Sequence, residues 1–426
     1  MRRLIASFGL ALALNAGAAD EPLTLEQALA YADQPHPDLG LYQAEVDLAK
    51  AQELLAESQN DFRVTLAAGL RSGRNSLNHD GFESDNLASL NARKTIWDGG
   101  RTELATAAAR LESAGRVNRL LDARAQRRLA LMTRFFDVLA TDLQYAADSE
   151  FTAVAYVNWD NAKDRQQVGE LSSVQMADLE ARFQEARVKR NDTLRQARAK
   201  RALLAAAMNR PGELPAELAD PVLRGNDRAL PEFKDLLAAL EANSPLLQAQ
   251  RQLLEASRQR LQAQRAENRP SLDVEAETAT YSRETATRDN LRAGLNLTWP
   301  LWQGRRVDAA VAVEQARFQS LQAQYDRLLL DLRQALFETR EEIAFLVESE
   351  RPAARANAAM ADWNLERARA EYELELKTTL GTSMADSQRA RMRSKAAEYR
   401  LALAWARLDA LVGQPCCQVA SAEAGR

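Results

Sequence analysis

Residues 96–101 read Ile-Trp-Asp-Gly-Gly-Arg, and residues 301–306, 205 positions later, read Leu-Trp-Gln-Gly-Arg-Arg. Each stretch follows a segment in which apolar and polar residues alternate, and each precedes a long segment with helical periodicity. Glycine readily adopts the left-handed backbone conformation that a sharp turn requires. We therefore assign Gly99, Gly100 and Gly304 to corners where a strand turns into a helix.

Further matches with nearly the same spacing surround these corners. Pro37-Asp38-Leu39 and Pro245-Leu246-Leu247 each open a helical stretch, 208 positions apart. The sequence Met-Ala-Asp at 176–178 recurs at 384–386, also 208 positions later. Matches in the same order at almost constant spacing indicate a tandem duplication of about 205 residues. Each copy reads as helix, strand, loop, strand, very long helix, turn and long helix.

The first residues have the layout of a secretory signal: Arg2 and Arg3, an apolar run over 4–14, and small residues at 16–19. No later apolar stretch is long enough to predict a membrane-spanning helix. We predict four segments along the chain: a signal peptide over 1–19, a first repeat over 20–230, a second repeat over 231–415 and a polar tail over 416–426.

Four segments with a period of two predict strands at 62–71, 87–97, 271–281 and 291–301. In the third segment, apolar residues alternate with Asp273, Glu275 and Glu277. Strands of this length with one apolar and one polar face are typical of a transmembrane β-barrel. The predicted lumen residues are Asp273, Glu275, Glu277, Arg63 and Arg71. The three acidic residues share one strand face and predict a preference for cations, which Arg63, Arg71 and Arg292 partly offset. A soluble antiparallel sheet packed on a helix is the alternative.

Four strands are too few to close such a barrel, and open strand edges are unfavourable in lipid. Identical chains must therefore share one barrel. Cyclic symmetry permits eight strands from a dimer, twelve from a trimer or sixteen from a tetramer. The fold class predicted from the sequence is mainly α with a small β part. Tandem-duplicated long helices form a coiled-coil α-barrel, and four strands per chain contribute to a shared transmembrane β-barrel.

The composition argues against other classes of function. The 426 residues include 56 basic and 60 acidic residues, for a net charge of −4, which disfavours a nucleic-acid partner. Two histidines and the adjacent pair Cys416 and Cys417 are too few for a usual zinc or haem site or a histidine-based triad. We expect no enzyme activity, no cofactor and no metal site.

The chain resembles the TolC-like outer-membrane efflux proteins, also called outer membrane factors, over about residues 23–415. The resemblance rests on the proline-marked helix starts, on the two glycine corners and on Phe135-Phe136-Asp137-Val138-Leu139. It implies a homotrimer with a twelve-stranded barrel in the outer membrane of a Gram-negative bacterium, continued through the periplasm by an α-helical barrel. It also implies passive export, coupled to an inner-membrane pump through a periplasmic adaptor (membrane fusion) protein.

The resemblance further implies an aperture at the helical end away from the membrane. In the family, two aspartates three residues apart in the second repeat ring that aperture. Asp386 matches the second of these positions, Ser383 occupies the first, and Asp178 is the counterpart of Asp386 in the first repeat. A single acidic ring of Asp386, supported by Asp178, is therefore expected. The alternative is that Asp386 only caps or solvates the start of a helix.

Two functions follow as hypotheses. The first is an outer-membrane channel for tripartite efflux or type I secretion of drugs, metal ions or polypeptides. The second is a periplasmic coiled-coil adaptor or structural rod. An adaptor should carry a compact β-domain between its helices, whereas both inserts here read as bare two-strand hairpins, which favours the channel.

Overall fold

The computed structural model describes residues 22–74, 81–282, 289–374 and 380–414. The predicted signal peptide and the tail with Cys416 and Cys417 lie outside these ranges. The helices are α1 (Leu25–Ala30), α2 (Pro37–Glu57), α3 (Arg101–Gln167), α4 (Ser173–Ala207), α5 (Phe233–Asn243), α6 (Pro245–Arg265), α7 (Arg306–Phe345), α8 (Arg351–Glu373) and α9 (Leu380–Leu411). The strands are β1 (Arg63–Gly69), β2 (Ser72–Gly73), β3 (Glu83–Ser84), β4 (Leu87–Trp97), β5 (Ser271–Tyr281) and β6 (Leu291–Thr298). The mainly helical fold with a small β part is confirmed.

The duplication predicted from the sequence is visible in the first half of each copy. Helices α2 and α6 both have 21 residues and both begin with a proline. Proline suits this position because its fixed φ is helical and its missing N–H would lack a helical partner anyway. Each helix is followed by a three-residue 3₁₀ turn and then by a strand.

The long helices give the molecule its length. Helix α3 has 67 residues, which at 1.5 Å per residue corresponds to about 100 Å. In the second copy, α7 and α8 are joined by a five-residue π-helical segment, Leu346–Glu350, into one rod over residues 306–373. Pro352 follows this segment and lacks the N–H that a regular α-helix would use. The wider π turn coincides with the position at which the α-helical hydrogen-bond ladder is interrupted.

The four longer strands form one antiparallel sheet in the order β1-β4-β5-β6. The pairing of β4 with β5 joins the two copies, and residues Arg93 and Glu275 lie opposite each other in this pair. Strands β4 and β5 have the bounds predicted from the alternation. Strand β6 ends at Thr298, three residues earlier than predicted, because Pro300 cannot donate to a ladder.

Two hydrophobic clusters hold the helices together. The first surrounds Phe135 and Leu204 and packs α1, α3, α4 and α9 against each other. The second surrounds Leu240 and Leu336 and packs α5, α7 and α9. Helix α9 contributes to both clusters, with Tyr399 in the first and Leu401 in the second, and it thereby unites the two copies in one body. Throughout the described ranges, no helix is both long and apolar enough to cross a membrane.

Candidate functional site

The sheet exposes its apolar side chains. Leu66, Leu291 and Leu295 are 74%, 75% and 65% exposed, although each lies within a strand. An antiparallel sheet in a soluble domain usually packs its apolar face on the core and leaves its polar face in water. The distribution here is reversed and has the pattern of strands that face lipid.

The polar face of the sheet carries a network that crosses three strands. Arg93 on β4 donates to Asp273 on β5 at 2.7 Å, and the Thr95 hydroxyl donates to the same carboxylate at 2.6 Å. Asp273 is only 3% exposed. Farther along β5, Glu275 accepts hydrogen bonds from Asn91 and from Asn296, the latter at 2.9 Å.

The remaining predicted lumen residues have different positions. Glu277 accepts from Arg292 on β6 at 2.6 Å, and Arg63 lies opposite Arg93 in the pairing of β1 with β4. Arg71 lies outside the sheet, because β1 ends at Gly69 and the Arg71 N–H instead donates to the side chain of Asn86 at 3.0 Å.

Arg93 was not among the predicted lumen residues, although its period-two position in the segment 87–97 marks it as a residue of the polar face. With Arg93 included, this face of the four strands carries three arginines, Arg63, Arg93 and Arg292, against three acidic residues. The charges balance, and two of the acids are paired directly with arginine. Arg93 thus takes the place of Arg71 beside Arg63 and Arg292, and the cation preference of this wall stays a prediction.

The strand-to-helix corners have the backbone conformation that the glycines predict. The φ angles of Gly99, Gly100 and Gly304 are 72°, 84° and 64°. Asp98 holds the first corner, because its carboxylate accepts from the N–H of Thr102 at 2.8 Å and from that of Gly100 at 3.2 Å. These bonds satisfy N–H groups at the start of α3 that have no helical partner.

The second support of the first corner comes from the other copy. Arg269, just before β5, donates to the carbonyl oxygen of Gly99 at 2.7 Å. A Cβ atom on Gly99 would lie 2.5 Å from the Cβ of Arg269, so this position has no space for a side chain. A Cβ on Gly304 would meet no atom within 4 Å. The two corners therefore share a conformation but differ in packing.

The residues assigned to the aperture lie at the starts of two long helices. Asp178 is in the second turn of α4 and pairs with Arg182 at 2.9 Å. Asp386 lies near the start of α9, with its side chain 57% exposed, and Ser383 is half-buried one turn earlier. The two exposed aspartates thus occupy equivalent positions in the two copies.

Arg389 is a further residue of this region that sequence reasoning missed. Its guanidinium lies 3.7 Å from the centre of the Phe151 ring on α3 and 4.0 Å from the carboxylate of Asp386. Its spacing of three residues from Asp386 on a helix was the available signal. Arg389 therefore places a positive charge beside Asp386 and links the second copy to the first.

The helices near this end are also tied together by Asp362 on α8. Its carboxylate accepts from the Ser387 hydroxyl at 2.7 Å and from Arg391 at 3.0 Å, both on α9. The hydrogen bond from Ser387, together with Arg391, holds the pKa of Asp362 below its ordinary value. The carboxylate is therefore charged near neutral pH and links α8 to α9.

Comparisons with solved structures identify similar folds. A membrane protein from Pseudomonas aeruginosa superposes with a TM-score of 0.77 at 17% identity, covering 92% of this chain and 90% of that chain. The CmeC outer membrane channel of Campylobacter jejuni gives 0.74 at 14% identity, covering 91% and 85%. The outer membrane protein VceC of Vibrio cholerae gives 0.73 at 17% identity, covering 92% and 96%.

No protein-family profile matches the sequence, and no curated protein matches it either. The likeness is therefore one of structure, and it extends over nearly the whole length of both chains. It includes the duplicated long helices and the small sheet. The chain has the fold of the outer-membrane channels, and the resemblance to the TolC-like outer-membrane efflux proteins is confirmed at this level.

Proposed function

We propose that the protein is a passive outer-membrane channel, the outer component of a tripartite efflux or type I secretion system. The observation that supports this most directly is the four-stranded sheet with an exposed apolar face at one end of helices about 100 Å long. Such a sheet suits a membrane, and such helices suit a duct that continues through the periplasm. The protein does no chemistry in this role.

The sheet also supports the proposed homotrimer. In the described part of the chain, no strand pairs with the outer edge of β1 or with that of β6. Unpaired backbone groups are costly in lipid, so these edges require partners. In a trimer, β1 of each chain pairs with β6 of the next, and the barrel closes with twelve strands. Dimers and tetramers satisfy the edges as well, and the trimer is chosen from the resemblance.

A periplasmic adaptor or rod is the competing function. It would expose the apolar side chains of β1 and β6 to water, where a patch of this kind promotes aggregation. The channel places the same side chains in the outer membrane. Its proposed partners are a periplasmic adaptor and an inner-membrane pump, and the pump selects the exported drug, metal ion or polypeptide.

The aperture of this channel is proposed to lie where α4 and α9 begin. Three copies of Asp386, supported by Asp178, form an acidic ring there, and Ser383 lies one turn away. Arg389 beside Asp386 reduces the field of that ring at short range. Multivalent cations are therefore attracted to the ring, but less strongly than to three isolated carboxylates.

Planar bilayers test the channel and its aperture together. The purified protein in detergent should have the mass of a trimer by light scattering and should form ion-conducting pores. A trivalent cation added from the periplasmic side should block the current. Asp386→Asn should weaken this block roughly fivefold or more, because each lost charge removes an attraction of about 1 kcal/mol at 4 Å in water.

The matched control is Asp192→Asn, since Asp192 is also an exposed aspartate paired with an arginine of its own helix, 14 residues farther along α4 than Asp178. Its block constant should equal that of the unmodified channel. A monomer that leaves the envelope with salt alone would contradict the proposed function. Block that survives Asp386→Asn in an otherwise normal channel would contradict only the aperture assignment.

A further inference from the structure

Lys94 is the only charged side chain on the apolar face of the four described strands. On β4 it shares this face with Ala88, Leu90 and Ala92, and the other three strands place apolar residues or threonine on the same face. The register confirms its orientation, because Lys94 lies opposite Val274, whereas its neighbour Arg93 lies opposite Glu275. A lysine at this position needs an explanation, since a cation facing lipid is unfavourable.

The position of Lys94 along β4 shows which end of the sheet it lies near. A β-bulge lies between Thr95 and Trp97 and sets Trp97 opposite Leu272, which is a residue of the apolar face. Trp97 is 49% exposed. Beyond it, Gly99 and Gly100 turn the chain into α3, which begins with the exposed Arg101. Lys94 therefore lies near the end of the sheet at which the helices begin.

The second corner repeats this combination of aromatic and basic side chains. Trp299 and Trp302, which follow β6, are 60% and 88% exposed, and the exposed Arg305 comes directly after Gly304. Tryptophan is enriched at membrane–water interfaces, and long basic side chains reach from an apolar surface to the polar headgroups. Both corners thus mark the same interfacial level.

Lys94 also differs from most charged residues in its pairing. On the helices, arginines are commonly matched to carboxylates, as in Arg116 with Glu45 at 2.8 Å and Arg128 with Asp33 at 2.8 Å. The side chain of Lys94 makes no hydrogen bond or ion pair with any residue in the ranges that the structure describes. An unpaired cation at the level of the headgroups lacks an anion, and the membrane can supply one.

We propose that Lys94, with Trp97 and Arg101 beside it, binds the phosphate of an anionic phospholipid in the periplasmic leaflet of the outer membrane. The inference rests on the proposed function, because it requires the apolar face of the sheet to lie in lipid. The ammonium group pairs with the phosphodiester, Arg101 lies nearby on the aqueous side, and the Trp97 ring packs against the glycerol and the upper acyl chain. A headgroup with net negative charge is preferred over a zwitterionic one.

Tryptophan quenching in bilayers tests this site. The full-length protein is reconstituted into vesicles that mix brominated phosphatidylglycerol with unlabelled phosphatidylcholine. A second set of vesicles contains brominated phosphatidylcholine and unlabelled phosphatidylglycerol. Quenching of the corner tryptophans reports which lipid is bound there. We expect a roughly fivefold preference for phosphatidylglycerol, since one interfacial cation contributes about that factor. Lys94→Gln should reduce the preference to about twofold or less.

Two further variants control the test. Lys94→Leu removes the cation while preserving an apolar face, so it should incorporate at least as well and still lose the preference. Lys234→Gln removes an exposed lysine of α5, far along the chain from the strands. This variant should keep the preference for phosphatidylglycerol. An unchanged preference in both Lys94 variants overturns the proposal.

The remaining outcomes are also decisive. Loss of the preference on adding millimolar inorganic phosphate would show that the site binds the free anion and not the lipid. Failure of the unmodified protein to incorporate into any vesicle would contradict the proposed function itself, which distinguishes that failure from failure of the lipid site.

Discussion

At the scale of single residues, Gly99 and Gly304 show how one backbone requirement can have two different packing environments. Both glycines have positive φ and both turn a strand into a helix. Only Gly99 is covered, because Arg269 of the second copy lies across it and donates to its carbonyl oxygen at 2.7 Å. The corner at Gly99 therefore has a contact with the other copy, whereas a Cβ atom on Gly304 would meet no atom within 4 Å.

Alanine substitutions should separate these two effects. Gly304→Ala should destabilise the protein by about 1–2 kcal/mol, the cost of a left-handed conformation for a residue with a Cβ. Gly99→Ala adds a clash with Arg269, and its cost should rise to about 2–5 kcal/mol in total. Thermal unfolding of the two variants in the same detergent measures the difference. Equal midpoints would show that Arg269 moves away freely and does not confine Gly99.

At the scale of elements, the pairing of β4 with β5 is the seam between the two copies. Arg93 and Thr95 on one side of this seam hold Asp273 on the other, and Asp273 is buried among them. Because a buried carboxylate is stable only when it is paired and hydrogen-bonded, the seam depends on this contact more than on the exposed pairs of the helices.

Removal of the arginine tests the seam. Arg93→Ala should destabilise the protein by about 1.5–3 kcal/mol, because Asp273 loses a charged partner while remaining buried. Arg110→Ala is the control and should have a much smaller effect, since Arg110 pairs with Glu57 on the exposed surface of the helices, where ion pairs contribute little to stability. Heat-induced dissociation of the oligomer on a gel without boiling reports both variants. If Arg110→Ala lowers the dissociation temperature as much as Arg93→Ala does, the burial of Asp273 does not explain the loss of stability in Arg93→Ala.

The sequence predicts much of this level of structure, and the reasons are physical. The bounds of β4 and β5 follow from alternation, because each strand has one apolar and one polar face along its whole length. The corners follow from the glycines. The hydrogen-bond partners of the acidic residues on the polar face did not follow, because they depend on which strands are neighbours, and the pairing of Arg93 with Asp273 spans 180 positions. The contact of Arg389 with Phe151 depends in the same way on how α9 packs against α3.

At the scale of the whole molecule, the end of the first repeat contacts the second repeat through Glu398. This carboxylate accepts hydrogen bonds from Asn226 and Arg351 at 2.8 Å each, and also from Arg355. Burial alone would raise the pKa of Glu398, but its hydrogen bonds with Arg351 and Asn226 hold the pKa below the ordinary value of 4.5. The charged form is therefore the one that the folded state stabilises.

A depressed carboxyl pKa has a definite consequence for stability. The contribution of Glu398 is complete above about pH 4.5 and is lost as the pH falls through the lower folded value. Glu398→Gln should therefore lower stability by about 1.5–3 kcal/mol at pH 7, and the difference should shrink below pH 4.5. Thermal midpoints between pH 7 and pH 3 measure it, with the exposed Glu180→Gln as control. A difference that stays constant across this range would show that Glu398 acts by shape and not by charge.

The edges of β1 and β6, which pair with no other strand among the described residues, have a genetic consequence. If β1 of each chain pairs with β6 of the next in the proposed trimer, every barrel needs three functional chains, and one defective chain prevents the barrel from closing. A cell that makes sound and defective copies in equal amounts would then assemble only about one intact channel in eight. A mutation in either edge strand should therefore act as a dominant allele, whereas a chain too damaged to reach the membrane should be recessive.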